Sequence, residues 1–170
     1  VPEEEEHSLS EEEVAALREP YAPAFQALMT EYEGRIRYLT AQSEYVIVTC
    51  FQETWTDAEI QALGPIAPIV KKVNLPASKL TATSADVFNQ MVNLEVLNLP
   101  ESEIGEGFLA ALNLPGLKRL NLFETALADD DAASLSRLTS LNSLYLGRSG
   151  VSEAVLNTLQ EQLHGCLVIH

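Results

Sequence analysis

The stretch Leu94-Glu95-Val96-Leu97-Asn98-Leu99 decides the reading of this chain. Its form, LxxLxL, returns as Leu117-Lys118-Arg119-Leu120-Asn121-Leu122 and as Leu141-Asn142-Ser143-Leu144-Tyr145-Leu146, at spacings of 23 and 24 residues. Side chains alternate across an extended strand, so the last two leucines of each copy share one face while the residue between them points the other way. Stepping back by 24 from Leu94 gives Val70-Lys71-Lys72-Val73-Asn74-Leu75, which fits. A further 24 gives Val46-Ile47-Val48-Thr49-Cys50-Phe51, a weaker copy with Thr49 where the others hold an apolar residue. An apolar residue follows each strand at Leu80, Ile104, Leu127 and Val151, with Thr56 at that place in the first unit. Helix-like runs come next, at Asp57–Leu63, Phe108–Leu112, Ala132–Leu135 and Val155–Leu159. A cap or an acid stands near each first turn (Asp57, Glu106, Asp129, Ser152), where free N–H groups favour oxygen. The closing run Cys166–His170 reads as a short terminal strand.

One strand and one helix cannot bury their own apolar stripe, whereas units stacked in parallel merge theirs into one core. The expected fold is therefore α/β: a leucine-rich-repeat solenoid of about five 23–24-residue strand-turn-helix repeats over residues 43–170, with a parallel sheet on its concave face. A second ladder, of hydroxyls, runs Thr54, Ser78, Ser102, Thr125, Ser149 just past the strands. Hydroxyls there are expected to satisfy buried turn backbone. A catalytic serine among them has no His or Asp in register.

Residues 1–42 read as an acidic tail and N-terminal capping helices. Residues 1–9 are charge-dense and expected to be mobile. Ser10 and Glu13 make a capping box for a helix to about Arg18, ended by Glu19-Pro20. Tyr21, Phe25, Leu28, Tyr32, Ile36 and Leu39 then follow at helical spacing and predict one apolar helix face. That face either caps the open end of the core or contacts a preceding domain or a second chain.

At 170 residues with 46% apolar content the chain can build one continuous core. Its net charge of −15 opposes nucleic-acid backbones and anionic membrane surfaces. Eight glutamates against Arg18 in residues 1–20 carry nearly half of that imbalance. No run is long and apolar enough for a membrane span, so direct membrane insertion is not expected. The chain opens at Val1, not methionine, so a mature or excised fragment that has lost its targeting segment is expected.

The residues give little to catalysis. Consecutive acids such as Asp129-Asp130-Asp131 diverge on a helix and read as helix-start solvation rather than as an ion site. His7, His164 and His170 are scattered, and Cys50 and Cys166 fall on the first and last strands, about five strand spacings or roughly 24 Å apart, too far for a disulfide. Nothing resembles a P-loop, GxGxxG, GxSxG or CxxCH motif, so no metal, cofactor or catalytic residue is assigned. Binding is easier to motivate. Residues between the core leucines project from the concave sheet: Val48, Cys50 and Gln52 in the first unit, then Lys72, Asn74 and Pro76, and so on. Lys72, Asn74, Asn98, Arg119, Asn121, Phe123, Tyr145 and Arg148 are the candidate protein-binding residues, a basic and aromatic cluster on an acidic chain.

With the repeats aligned, Thr56-Asp57-Ala58-Glu59-Ile60, Leu63-Gly64-Pro65-Ile66-Ala67-Pro68, Leu94–Leu99, Leu120-Asn121-Leu122-Phe123-Glu124-Thr125, Leu144-Tyr145-Leu146 and His164-Gly165-Cys166 carry a resemblance. Residues 43–170 resemble the leucine-rich-repeat domain at the C-terminus of planctomycete-type cytochrome c domain proteins, which are large exported or membrane-anchored bacterial proteins. The resemblance implies a periplasmic or otherwise extracytoplasmic interaction domain, with any haem carried elsewhere in the full protein. The family's TDAGL turn survives only at Thr56-Asp57-Ala58 and has drifted in the later repeats. The expected function is thus a non-catalytic protein-protein interaction module with an unidentified protein partner and no cofactor. The alternative is an accessory domain that positions a cytochrome-like domain. Oligomeric state is open.

Overall fold

The computed structural model describes residues 9–170, so the expected mobility of the acidic tail concerns residues almost all outside the described part. Two helices come first, α1 (Glu11–Arg18) and α2 (Ala22–Glu31), then strands β1 (Ile36–Tyr38) and β2 (Val46–Thr49). Repeating units follow: α3 (Asp57–Ala62), β3 (Val70–Asn74), β4 (Lys79–Leu80), α4 (Ala82–Gln90), β5 (Val96–Asn98), β6 (Glu103–Ile104), α5 (Phe108–Ala111), β7 (Arg119–Asn121), α6 (Asp129–Ala133), β8 (Ser143–Tyr145), α7 (Glu153–Gln162) and β9 (Leu167–Ile169). The main sheet has seven strands in the order β1-β2-β3-β5-β7-β8-β9, and only the β1–β2 pair is antiparallel. β4 and β6 form a separate two-stranded parallel sheet.

Leucine periodicity becomes strand register directly. Val73, Leu97, Leu120, Leu144 and Val168 are consecutive partners across the sheet, and the first four are fully buried. The second apolar residue of each motif (Leu75, Leu99, Leu122, Leu146) and the one that opens it (Val70, Leu94, Leu117, Leu141) join the same core. Phe88 and Phe108 meet edge to face beneath, with ring centroids 5.7 Å apart.

The first unit departs from the expected register. An irregularity between Val46 and Ile47 shifts the pairing, so Val48, not Thr49, is the partner of Val73. Val46, Val48 and Cys50 are therefore buried, while Thr49 is half-buried and Phe51, expected in the core, is 73% exposed. The expected projection of Val48, Cys50 and Gln52 from the open face is corrected accordingly for Val48 and Cys50. The slip persists to the next helix: Trp55, 1% exposed, fills the slot assigned to Thr56, and Thr56 caps α3 with its hydroxyl and a reciprocal Glu59 bond. A bulky indole closes the core where a β-branched polar side chain would have left it unfilled.

The expected single helix from Tyr21 to Leu39 is also corrected. α2 ends at Glu31, Gly34 takes the left-handed conformation (φ 74°), and Ile36–Tyr38 turns back as a strand. Its apolar residues still reach the core, by a different path: Phe25 lies 4.2 Å from Tyr38 and Tyr32 lies 5.2 Å from Trp55, ring to ring. β1 supplies main-chain partners to the outer edge of β2, which a helix could not do. Arg18 ties α1 to this hairpin, donating to the carbonyls of Thr40, Ala41 and Ser43 and lying 3.6 Å above the Tyr38 ring.

The hydroxyl ladder is present from the second unit onward. The N–H of Ser78 donates to Ser102 Oγ (3.1 Å) and that of Ser102 to Thr125 Oγ1 (3.2 Å). Thr125 and Ser149 return their protons to the carbonyls of Leu99 (2.8 Å) and Leu146 (2.6 Å), and Ser78 to that of Leu75. All four are buried, whereas Thr54 is exposed and outside the ladder, a further consequence of the slipped register. One residue before each ladder hydroxyl, the chain turns through the left-handed region at Ala77, Glu101, Glu124 and Arg148, with φ of 55–58°.

Candidate functional site

The face of the main sheet turned away from the core carries four rows, set by strand register. The first runs Lys71, Glu95, Lys118, Asn142 and is linked by main-chain bonds from Glu95 to Lys71, Lys118 to Glu95 and Asn142 to Lys118. The second is Arg37, Ile47, Lys72, Val96, Arg119, Ser143, Leu167. The third is Thr49, Asn74, Asn98, Asn121, Tyr145, Ile169. Beyond the strand ends lie Phe51, Pro76, Pro100, Phe123 and Gly147, the fourth row.

Of the expected site residues, Lys72 and Arg119 fall in the second row, Asn74, Asn98, Asn121 and Tyr145 in the third, and Phe123 in the fourth. Arg148 does not join them; it sits in the left-handed turn past β8 and pairs with Glu124 at 2.5 Å. Asn98 donates to Asn74, and Asn74 to Thr49 (3.5 Å), so two of the asparagines satisfy each other between strands. Asn121 differs: its side-chain oxygen accepts from the N–H of Phe123 (2.9 Å), which leaves its amide nitrogen toward the open face. Phe123 leans over Gly147, where a Cβ would stand 3.0 Å from the ring, so the absence of a side chain at Gly147 lets the aromatic lie against the sheet.

The electrostatics of this face oppose those of the whole chain. Of the ten basic residues, Arg18 and Arg137 are spent on backbone carbonyls, while Arg35, Lys79 and Arg148 pair with Glu53, Glu103 and Glu124. The other five, Arg37, Lys71, Lys72, Lys118 and Arg119, all stand in the first two rows, where Glu95 is the only carboxylate. Lys118 (2.9 Å) and Lys71 (3.6 Å) share that carboxylate, and the Lys118 contact first, against some burial, holds its pKa below the usual glutamate range. Lys71 also lies 4.4 Å from the Tyr45 ring centre. Among the described residues, Arg37, Lys72 and Arg119 make no ion pair.

Sequence reasoning missed Arg37, Ile47 and Phe51. The first was hidden by the helical spacing of its neighbours, and the other two by the register slip. The alternation Val46/Val48/Cys50 together with Trp55 was the available signal, because it restores the seven-residue step from mid-strand to post-strand apolar residue seen at Val73/Leu80 and Leu97/Ile104.

The acids of the helix starts are used internally. Asp57 accepts from the Thr81 N–H (2.9 Å) and hydroxyl (2.5 Å) and from the Ser84 hydroxyl. Asp129 accepts from the N–H of Ser152 (2.8 Å) and Asp131 from that of Gly107 (3.4 Å), so they join neighbouring units. Among the described residues no group of three His, Cys, Asp or Glu is placed to hold a metal ion, and no helix is long and apolar enough to cross a membrane.

No protein-family model and no curated protein matches the chain. Among solved structures, it is similar to the leucine-rich-repeat ectodomain of the receptor kinase SOBIR1 from Arabidopsis thaliana, with 17% identity and a TM-score of 0.47, over 88% of this chain and 90% of that one. The class assigned to this chain rests on its own register: a mixed α/β fold of leucine-rich strand-turn-helix units with a mostly parallel sheet.

Proposed function

We propose that the chain is a non-catalytic protein-binding module that engages its partner through the open, concave face of a leucine-rich-repeat solenoid. The observation that carries this reading is the grouping of Lys72, Arg119, Asn121, Phe123 and Tyr145 on one face of contiguous strands, with both cations free of intramolecular ion pairs among the described residues. Aromatic and arginine side chains on a rigid sheet give contact area at little entropic cost, the usual makeup of an interface centre. In this reading residues 43–170 form the binding unit, and residues 1–42 cap its first repeat through Phe25, Tyr32 and Tyr38. Lys72, Asn74, Asn98, Arg119, Asn121, Phe123 and Tyr145 line the contact, with Arg148 at its margin.

The test is site-specific photocrosslinking in an extract of the source organism. A crosslinker at Tyr145 is expected to give a discrete adduct that is lost on Arg119→Ala, while one at Gln160, on α7, gives none. Equal labelling from both positions, or none from Tyr145, would overturn the reading.

The family resemblance supplies a placement for the module: the extracytoplasmic part of a larger exported bacterial protein, in which it would position a haem-bearing domain. A gene whose upstream sequence lacks both CxxCH and an export signal would remove that placement and leave the binding reading intact.

A further inference from the structure

We infer that the partner segment is an extended acidic peptide lying across the strands on the row Arg37, Ile47, Lys72, Val96, Arg119; this rests on the binding reading above. Cations and apolar side chains alternate along that row, one per strand. Adjacent strands are about 4.8 Å apart, so the three cations recur at roughly 9.6 Å. An extended or polyproline-type peptide advances about 3.1–3.3 Å per residue, so acidic residues three apart fall opposite successive cations. Residues between them meet Ile47 and Val96. Ile47 is only 8% exposed yet stands outside the main core cluster, as expected for a side chain sheltered by its neighbours on the open face.

Charge accounts for the choice of occupant. Half of the basic residues of a −15 chain are gathered here with one acid, Glu95, which two lysines already share. Gathering like charges costs energy in the free protein and is recovered when an anionic segment covers them. A nucleic acid would meet the long-range repulsion of the whole molecule, whereas the Asn121 amide nitrogen, left toward the open face beside the cations, can donate to a main-chain carbonyl of a peptide. A short peptide gains the local attraction while carrying little charge into that outer field.

The experiment is a fluorescence-anisotropy titration of the full chain with a labelled 12-residue peptide bearing Glu at every third position and Val or Pro between, and with its Lys-for-Glu counterpart. The acidic peptide is expected to bind, to weaken at least tenfold between 50 and 500 mM salt, and to weaken at least tenfold in the Lys72→Glu, Arg119→Glu double variant. That variant is expected to bind the lysine peptide instead. Both substitutions are solvent-facing, so an unchanged melting curve confirms that the fold is kept. Failure of the acidic peptide to bind, or equal binding to wild type and variant, overturns the inference. If it fails while the Tyr145 adduct persists, only the acidic chemistry falls; loss of both removes the face as a site. Binding seen only after removal of residues 1–8 would give the face to the Glu3–Glu6 segment of the same chain and overturn the assignment to a partner.

Discussion

Between β5 and β8 each core residue meets its own counterpart, Leu97 on Leu120 on Leu144, and the turn after β7 hands its Thr125 hydroxyl to the Ser102 N–H of the turn before it. At β2 nothing is handed on in that way. The strand slips by one residue, the turn loses its ladder hydroxyl, and the core is closed by Trp55, Tyr32, Phe25 and Tyr38. A repeat inside the stack has two neighbours of its own shape and can be small and regular. The terminal repeat has a foreign surface on one side, and large aromatics fill a space that no repeat defines.

The comparison breaks most visibly at Trp55. Trp55→Ala is expected to cost about 4 kcal/mol, because a fully buried indole is removed from a site walled by unlike elements. Leu120→Ala, in the regular part, should cost about 3 kcal/mol on the same grounds. Urea denaturation followed by far-UV circular dichroism measures both. A loss below about 1 kcal/mol at Trp55 would mean that the first unit is not continuous with the core of the others.

The two turns differ next. Thr125→Ala leaves the buried N–H of Ser102 without an acceptor and the Leu99 carbonyl without its donor, for an expected loss of about 2 kcal/mol. Thr54→Ala, at the position that spacing alone would equate with it, should change stability by less than about 0.5 kcal/mol. Equal losses would return Thr54 to the ladder and contradict the slipped register.

These contrasts mark what the sequence could convey. Parallel strands, their order and the core leucines were readable because LxxLxL repeats at a nearly constant step, and a repeated error in register would have put every leucine in solvent. In the first unit there is one copy only, and Val46-Ile47-Val48-Thr49-Cys50-Phe51 accommodates either of two alternations; the arbiter, Trp55, lies outside the motif. The turn at Gly34 was hidden for a related reason: spacings of 3 and 4 residues continue by chance across it, and a three-residue strand is too short to show a period of two. The cation rows were partly legible, since Lys72 and Arg119 follow from the repeat. Arg37 required the hairpin, and the sharing of Glu95 between Lys71 and Lys118 is a side-chain contact that no spacing specifies.

Helix starts sharpen the comparison through pH. Asp57, at the slipped repeat, is partly buried, which raises its pKa, but the Ser84 and Thr81 hydroxyls and the Thr81 N–H outweigh burial and bring it below the usual aspartate range. A depressed carboxyl contributes stability that is present above its unfolded pKa, about 3.9, and fades as pH falls through the lower folded value. Asp57→Asn should therefore cost about 1 kcal/mol at pH 7, with the gap to wild type closing below about pH 4. Asp129, bonded to Ser152 but fully exposed, has the same sign of shift and should show the same closing trend with a smaller gap. Thermal melts from pH 7 down to pH 3 separate the two, and a gap at Asp57 that widens in acid would refute the assignment.

The smallest effect isolates the turn backbone itself. Ala77 occupies the left-handed region at φ 55°, where a Cβ crowds the following carbonyl at a cost of about 1–2 kcal/mol. Ala77→Gly relieves that crowding but gives the unfolded chain more freedom, which takes back about 0.4–1 kcal/mol. The net is an expected gain of about 0.5 kcal/mol, read as a rise in the urea midpoint at unchanged slope. Gln52, in the corresponding turn of the first unit, has no positive φ, so Gln52→Gly incurs the entropic term without the relief and should lower the midpoint. Opposite signs from the same glycine in two turns would show that the first unit differs from the others in its backbone as well as its side chains; a gain at both would mean that the left-handed turn extends through every repeat.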